Sequence, residues 1–204
     1  MRTNADFGAI TAADVAELAR LHRRAFPGFF LSALGEPFLV QFYRGFLDDQ
    51  SAVTVVARSS SGRLLGAVVG TTEPVGYFGR LLRRQWAGFA MAGARAFVAR
   101  PSAAPRLCRA VMYRGDAPAD HSGALLSSIC VDPSMHGHGV GNQLIEAWTS
   151  RARELGASMA FLTTDAVDND GPNRFYQAQG WMLTATYRTR EGRPMNRYSR
   201  SLAD

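Results

Sequence analysis

Three glycines at alternate positions, Gly137, Gly139 and Gly141, follow the apolar run Ile129-Cys130-Val131 and lead into the amphipathic run from Val140 to Leu155, whose second residue is the last of them. Without a Cβ the backbone can turn sharply there and bring consecutive N–H groups close to a ligand. If a helix starts at the last glycine, its positive end adds to those N–H groups, and the result suits a pyrophosphate. His136 and His138 sit in the same loop, two residues apart and with no Cys or third ligand nearby. A phosphate-adjacent role suits them better than a metal, so no metal is expected.

Glycine loops of several kinds share this physics, and spacing separates them. A triphosphate-binding loop ends in Gly-Lys-Ser/Thr, yet the chain contains no lysine. A dinucleotide fingerprint needs Gly-x-Gly-x-x-Gly in the first βαβ unit and an acid about 20 residues later. Here the glycines alternate strictly and come late.

The elements that must hold this loop are readable in order. A first strand is expected at Phe7–Ile10, then a helix capped by Thr11 with Asp14 as its capping acid, carrying Val15, Leu18, Ala19, Leu21, His22 and Phe26 at helical spacing. After the apolar connection Phe29-Phe30-Leu31, a helix over Glu36–Leu47 carries a stripe of Phe38, Leu39, Phe42, Tyr43 and Phe46, which suits a core or the lining of an acceptor pocket. Ser51–Arg58 and Leu64–Thr71 form a hairpin across Ser59-Ser60-Ser61-Gly62. The segment 74–118 has no strand character; a helix from Gly79 to Ala99 and a shorter one at Arg106–Tyr113 are expected. Gly123–Val131 is the strand that feeds the glycine loop, and Val140–Leu155 is the helix that leaves it. Beyond lie a strand at Met159–Thr163, a helix from Gly171 or Pro172 to Gln179, and two last strands at Trp181–Arg188 and Met195–Ser199.

The chain has 204 residues, 47% of them hydrophobic, which suits one domain over 1–204 with a real core. Cys108 and Cys130 offer neither metal spacing nor a disulfide framework, and no signal peptide or run of about 18 apolar residues is visible, so a cytoplasmic location is expected. All 23 basic residues are arginines, and eight fall between Arg80 and Arg114, a window without Asp or Glu. The remaining 15 face 17 acidic residues, so the basic character is one local surface. No reading-helix motif accompanies it, and no nucleic-acid partner is expected. Contact with an anionic membrane surface, packing on a second subunit as a homodimer, or acceptor binding each fit segment 80–114.

Two patterns read together resemble the GNAT superfamily of acyl-CoA-dependent N-acyltransferases. The first is His136-Gly137-His138-Gly139-Val140-Gly141 after Val131-Asp132-Pro133, with His136 where that family has Arg or Gln. The second is Asn169-x-x-Pro172-Asn173-Arg174-Phe175-Tyr176-x-x-x-Gly180-Trp181, with Pro172 for Ala and Trp181 for Phe. The resemblance implies an α/β (α+β) fold: a mixed, mostly antiparallel sheet of about seven strands flanked by helices, here with a helical insertion at about 74–118. It implies acetyl-CoA as the donor and a small-molecule primary amine as the acceptor; the arginine-rich segment, near the cleft face in that family, puts an amino-sugar nucleotide or other anionic amine ahead of a protein N-terminus or an antibiotic. A fold member that holds CoA without turnover is the alternative from another class.

By the same resemblance Ile129, Cys130 and Val131 hydrogen-bond the pantetheine, residues 136 to 141 hold the pyrophosphate, and Asn169 and Asn173 touch the pantetheine arm. Tyr176 is the expected general acid toward the leaving thiolate. For the general base the candidates are Asp165, Glu73, His121 and an ordered water; the strand offers Ser127 and Ser128 where some relatives carry Glu. A backbone N–H near Val131 would meet the oxyanion.

Overall fold

The computed structural model describes residues 5–99, 123–189 and 192–203. Cys108, His121 and the helix expected at Arg106–Tyr113 lie outside them. The chain runs β1 (Ala5–Gly8), α1 (Val15–Ala25), α2 (Phe30–Ala33), α3 (Glu36–Arg44), β2 (Ala52–Ser59), β3 (Leu64–Thr71), α4 (Tyr77–Arg84), α5 (Trp86–Ala99), β4 (Ala124–Val131), a 3-10 turn at Pro133–Met135, α6 (Val140–Glu154), β5 (Met159–Asp165), α7 (Asp170–Ala178), β6 (Met182–Arg188) and β7 (Pro194–Ser201). Seven strands make one sheet in the order β1-β2-β3-β4-β5-β7-β6. Every neighbour is antiparallel except β4 and β5, which helix α6 connects as a parallel pair. The expected fold class is the observed one.

Two apolar layers cover the sheet. On one face α1, α3, α4 and α5 pack Leu18, Leu39, Phe42 and Leu81 against Val56, Val69 and Cys130. On the other, α6 buries Leu144, Ile145 and Trp148 with Val68, Leu126, Tyr176 and Tyr198. Leu126 and Cys130, four residues apart and so on one face of a regular strand, are divided between these faces because a bulge interrupts the alternation of β4.

The parallel register of β4 and β5 covers only Ala124 opposite Ala160 and Leu125 opposite Phe161. Past those pairs the two strands diverge. A bulge in β4 accompanies the divergence: Val69 faces Ser128 and Gly70 faces Leu126, so Ser127 is the extra residue.

Two expected elements differ. At α1 the helix begins at Val15, and Asp14 itself holds the cap position, accepting from the N–H and hydroxyl of Thr11. The acid thus caps the turn before the helix. The helix expected over Gly79–Ala99 is two, broken at Gln85. Leu81 sits over Gly45, where a Cβ would stand 2.3 Å from Leu81 Cδ1, and Tyr77 donates to the Gly45 carbonyl. Phe89 meets the Phe38 ring edge-on at 5.0 Å, near the other end of α3. Both contacts need helix directions that one straight helix would not supply.

Candidate active site

The divergence of β4 from β5 opens a cleft of about 1890 Å³ that passes from the α6 layer to the α1/α3 layer. One end of it is built by the glycine loop. Gly137 and Gly139 both stand at φ 79°, in the left-handed region where a side chain is strained. Gly139 caps α6, and Gly139, Val140, Gly141 and Asn142 line the cleft with the first turn of that helix. The first N–H groups of a helix have no partner within it, so they are available to an anion here. Gly141 has a packing reason as well: a Cβ there would sit 3.2 Å from the Phe175 ring of α7.

Of the residues singled out from sequence, Ile129, Val131, His136, Gly137, Gly139, Val140, Gly141, Asp165, Asn169 and Tyr176 line the cleft. Cys130, His138, Asn173 and Glu73 are not among its lining residues. Cys130 points to the α1/α3 layer, where burial pushes its thiol up to about 12 and its sulfur lies 3.9 Å from Tyr43 Oη. His138 turns its Nδ1 to the His136 carbonyl. The Asn173 amide donates to the carbonyls of Asp165 and Asn169 and accepts from Asn196 Nδ2 and Tyr198 Oη, so it fastens α7 to β5 and β7. Asn169 donates to Thr164 Oγ1 and the Asp165 carbonyl from its place on the lining.

Among the two expected carboxylates, Glu73 lies exposed beyond β3, 3.5 Å from Arg80. Asp165 ends β5 on the cleft, and Arg193 Nε and Nη2 grip its two oxygens in a fork. It is the sole carboxylate among the described lining residues. Tyr176 is 8% exposed, packed against Phe175, Trp181 and Tyr198, and burial pushes its hydroxyl well above the ordinary phenol range.

The sequence did not single out His22, Arg193, Arg197, Tyr187 or Phe26 as site residues, and all of them line the cleft. Only His22 left a signal, a polar residue on the apolar stripe of α1. It is 1% exposed; Nδ1 lies 2.7 Å from Tyr43 Oη, and Nε2 has no hydrogen-bond partner among the described residues. Burial lowers its pKa from 6.5 to about 4. The unfolded chain therefore takes up a proton that the fold refuses: stability is full above pH 6.5 and drains as pH falls toward 4. A loss of about 2 kcal/mol between pH 7.5 and pH 5 is expected from urea midpoints. His22→Phe should flatten that interval; a wild-type midpoint that does not move would contradict the burial of a neutral imidazole.

Among the described residues, no helix is long and apolar enough to cross a membrane, and no group of three or more His, Cys, Asp or Glu is placed to hold a metal.

A family model described as the acetyltransferase (GNAT) family matches residues 15–181. Among solved structures, Ard1 from Thermoplasma volcanium superposes with a TM-score of 0.62 at 15% identity, covering 98% of this chain and 99% of its own. The ribosomal-protein-S18-alanine N-acetyltransferase from Escherichia coli gives 0.59 at 12% identity, covering 98% and 95%. The protein yncA from Salmonella typhimurium, solved with its cofactor acetyl-CoA, gives 0.62 at 14% identity, covering 99% and 96%. These likenesses are of fold. No curated protein matches the chain in sequence.

Proposed function

The chain belongs to the acetyltransferase (GNAT) family and is an acetyl-CoA-dependent acetyltransferase, and from that membership we propose that it carries the acetyl group to a primary amine held in the same cleft, the whole of 1–204 acting as one domain. The observation that carries this reading is the divergence of β4 from β5 with the α6 N-terminus at its mouth. Donor and acceptor can then meet in the gap from opposite faces of the sheet.

In this reading the pantetheine lies along the backbone of Ile129–Val131 with Asn169 beside its amides. The pyrophosphate takes the N–H groups of Gly137 and of residues 139 to 141, with His136 at its flank and the His138 N–H kept by the Met135 carbonyl. The amine nitrogen attacks the thioester carbon; a C–N bond forms, negative charge moves to the carbonyl oxygen, and a backbone N–H near Val131 meets it. The C–S bond then breaks and CoA leaves as a thiolate toward the Tyr176 hydroxyl. The nitrogen gives up one proton. Because Asp165 is held in the Arg193 fork and Glu73 lies off the cleft, we assign that proton to a water ordered by Asp165.

For the acceptor, an anionic amine such as an amino-sugar nucleotide has support in the cleft charges: among the described lining residues Arg83, Arg193 and Arg197 stand against one carboxylate, Asp165, which Arg193 grips. The support does not come from Arg80 and Arg84, which bind Glu73 and the Val75 carbonyl, and Asp49 and the Asp48 carbonyl. On α5, Trp86 and Met91 are exposed beside Arg95, which supports a contact of that helix with a second surface, a membrane or a second subunit.

The test is thiol release from acetyl-CoA by the purified chain, which should require a primary amine. Gly139→Val should raise the KM for acetyl-CoA about tenfold or more, through a strain of roughly 1–2 kcal/mol at the left-handed position, and spare that for the amine. Equal thiol release with and without amine would overturn the reading.

A further inference from the structure

The half of the cleft that faces α1 and α3 is walled by rings and aliphatic chains. Phe26, Phe29, Phe38, Phe42, Phe78 and Leu82 all line it. Such a wall gives nothing to a polyol or a polycation, whose hydroxyls or ammonium groups would lose water without gaining partners. It favours a body with faces of its own to bury.

Within this wall His22 brings a polar atom without a partner among the described residues; Ser127 Oγ, on the β4 bulge that also lines the cleft, is another. His22 is 1% exposed and lines the cleft, with Nδ1 engaged by Tyr43 Oη at 2.7 Å and Nε2, across the ring, unpaired among the described residues. The ring is held in place, since Phe26 meets it edge-on at 5.0 Å and Tyr43 at 5.9 Å. The Tyr43 hydroxyl continues to Cys130 Sγ at 3.9 Å, so this chain of contacts ends on β4 beside the opening. A buried donor or acceptor left empty is a cost that a ligand can relieve. The neutral imidazole is the form that burial enforces.

We propose that the acceptor is a primary amine on an apolar, ring-sized body, the body lying against the phenylalanine wall and the nitrogen donating a hydrogen bond to His22 Nε2. This rests on the acetyl-transfer reading above and narrows its anionic acceptor to one whose amine-bearing body is apolar, in place of an amino sugar: negative charge on the acceptor would face Arg193 and Arg197, and its apolar part would face α1 and α3. With one N–H held by His22, the nitrogen lone pair is left for the thioester. His22 would then touch substrate, and Tyr43 would position it through Nδ1.

The experiment compares two monocationic amines with six-membered rings, 2-phenylethylamine and glucosamine, by amine-dependent thiol release from acetyl-CoA. The expected kcat/KM is at least tenfold higher for 2-phenylethylamine. Equal values, or a preference for glucosamine, would overturn the proposal and leave the acetyl-transfer reading standing. Failure of every amine to release thiol would instead remove that reading and this one with it. In His22→Phe the KM for 2-phenylethylamine should rise at least tenfold while that for acetyl-CoA holds, and His22→Gln, which can again accept from the nitrogen, should recover part of the loss. An unchanged amine KM in His22→Phe overturns the role of His22. Should that variant fail to fold, the wild-type comparison of the two amines decides.

Discussion

Tyr176→Phe is expected to lower kcat for amine-dependent thiol release by at least about a hundredfold, with the KM for acetyl-CoA changed by less than about threefold. The substitution removes one oxygen and keeps the ring, so packing against Phe175, Trp181 and Tyr198 survives. What is lost is the donor that the departing sulfur would meet. Burial holds the phenol neutral and raises its pKa well above the ordinary range, so the proton is present throughout the useful pH range. For the same reason full transfer to a thiolate, with a solution pKa of about 8.5, is uphill. The hydroxyl is therefore expected to act through a hydrogen bond that strengthens as charge grows on sulfur, and the effect should fall on kcat. An unaltered kcat would take the general-acid role from Tyr176. A wild type that binds acetyl-CoA yet never releases thiol would point to a binding module.

The glycine loop was legible because its conformation belongs to the backbone. Gly137, Gly139 and Gly141 announce freed N–H groups by residue type alone, and the structure puts that loop on the cleft with positive φ at two of the three. Asn173 shows where side-chain reading falls short: its motif position is right, yet its amide is spent on α7, β5 and β7. Asp165 meets Arg193 across 28 residues, a pairing that no local pattern encodes. Arg80 and Arg84 looked like part of a basic surface and instead staple α4 to neighbouring loops. The apolar wall of the cleft comes from α1, α3, α4 and α5, and the floor opposite it from β5, β6 and β7. Sequence periodicity finds the apolar stripe of each such helix, but it does not tell a stripe that fills the core from one that faces a gap in the sheet. That distinction depends on the short β4–β5 ladder, and a two-pair register leaves no mark on either strand.

The largest stability effect is expected at Trp148, which holds the glycine loop's helix to the sheet. It is fully buried in α6, and its Nε1–H donates to the Val53 carbonyl at 3.0 Å. Gly70 on β3 makes the room: a Cβ there would stand 2.6 Å from Trp148 Cζ2 and 2.1 Å from the Leu125 carbonyl oxygen. A glycine inside a strand weakens it, and here close approach of the indole is the return. Trp148→Ala should cost about 3–5 kcal/mol, a large share of a typical domain's 5–15 kcal/mol, through the emptied volume and the orphaned carbonyl. Trp148→Phe keeps most of the volume and should cost roughly half as much. Urea denaturation at pH 7.5 measures both, and a loss below about 1 kcal/mol for Trp148→Ala would mean that α6 is held by other contacts. Because the same helix would, on the proposed reading, present its N-terminus to the donor, acetyl-CoA at a hundred times its Kd should return about 2.7 kcal/mol to any variant that still folds. A Trp148→Ala protein that recovers this much keeps an intact cradle on a weakened core, whereas one that recovers none has lost the orientation of α6 as well as its packing.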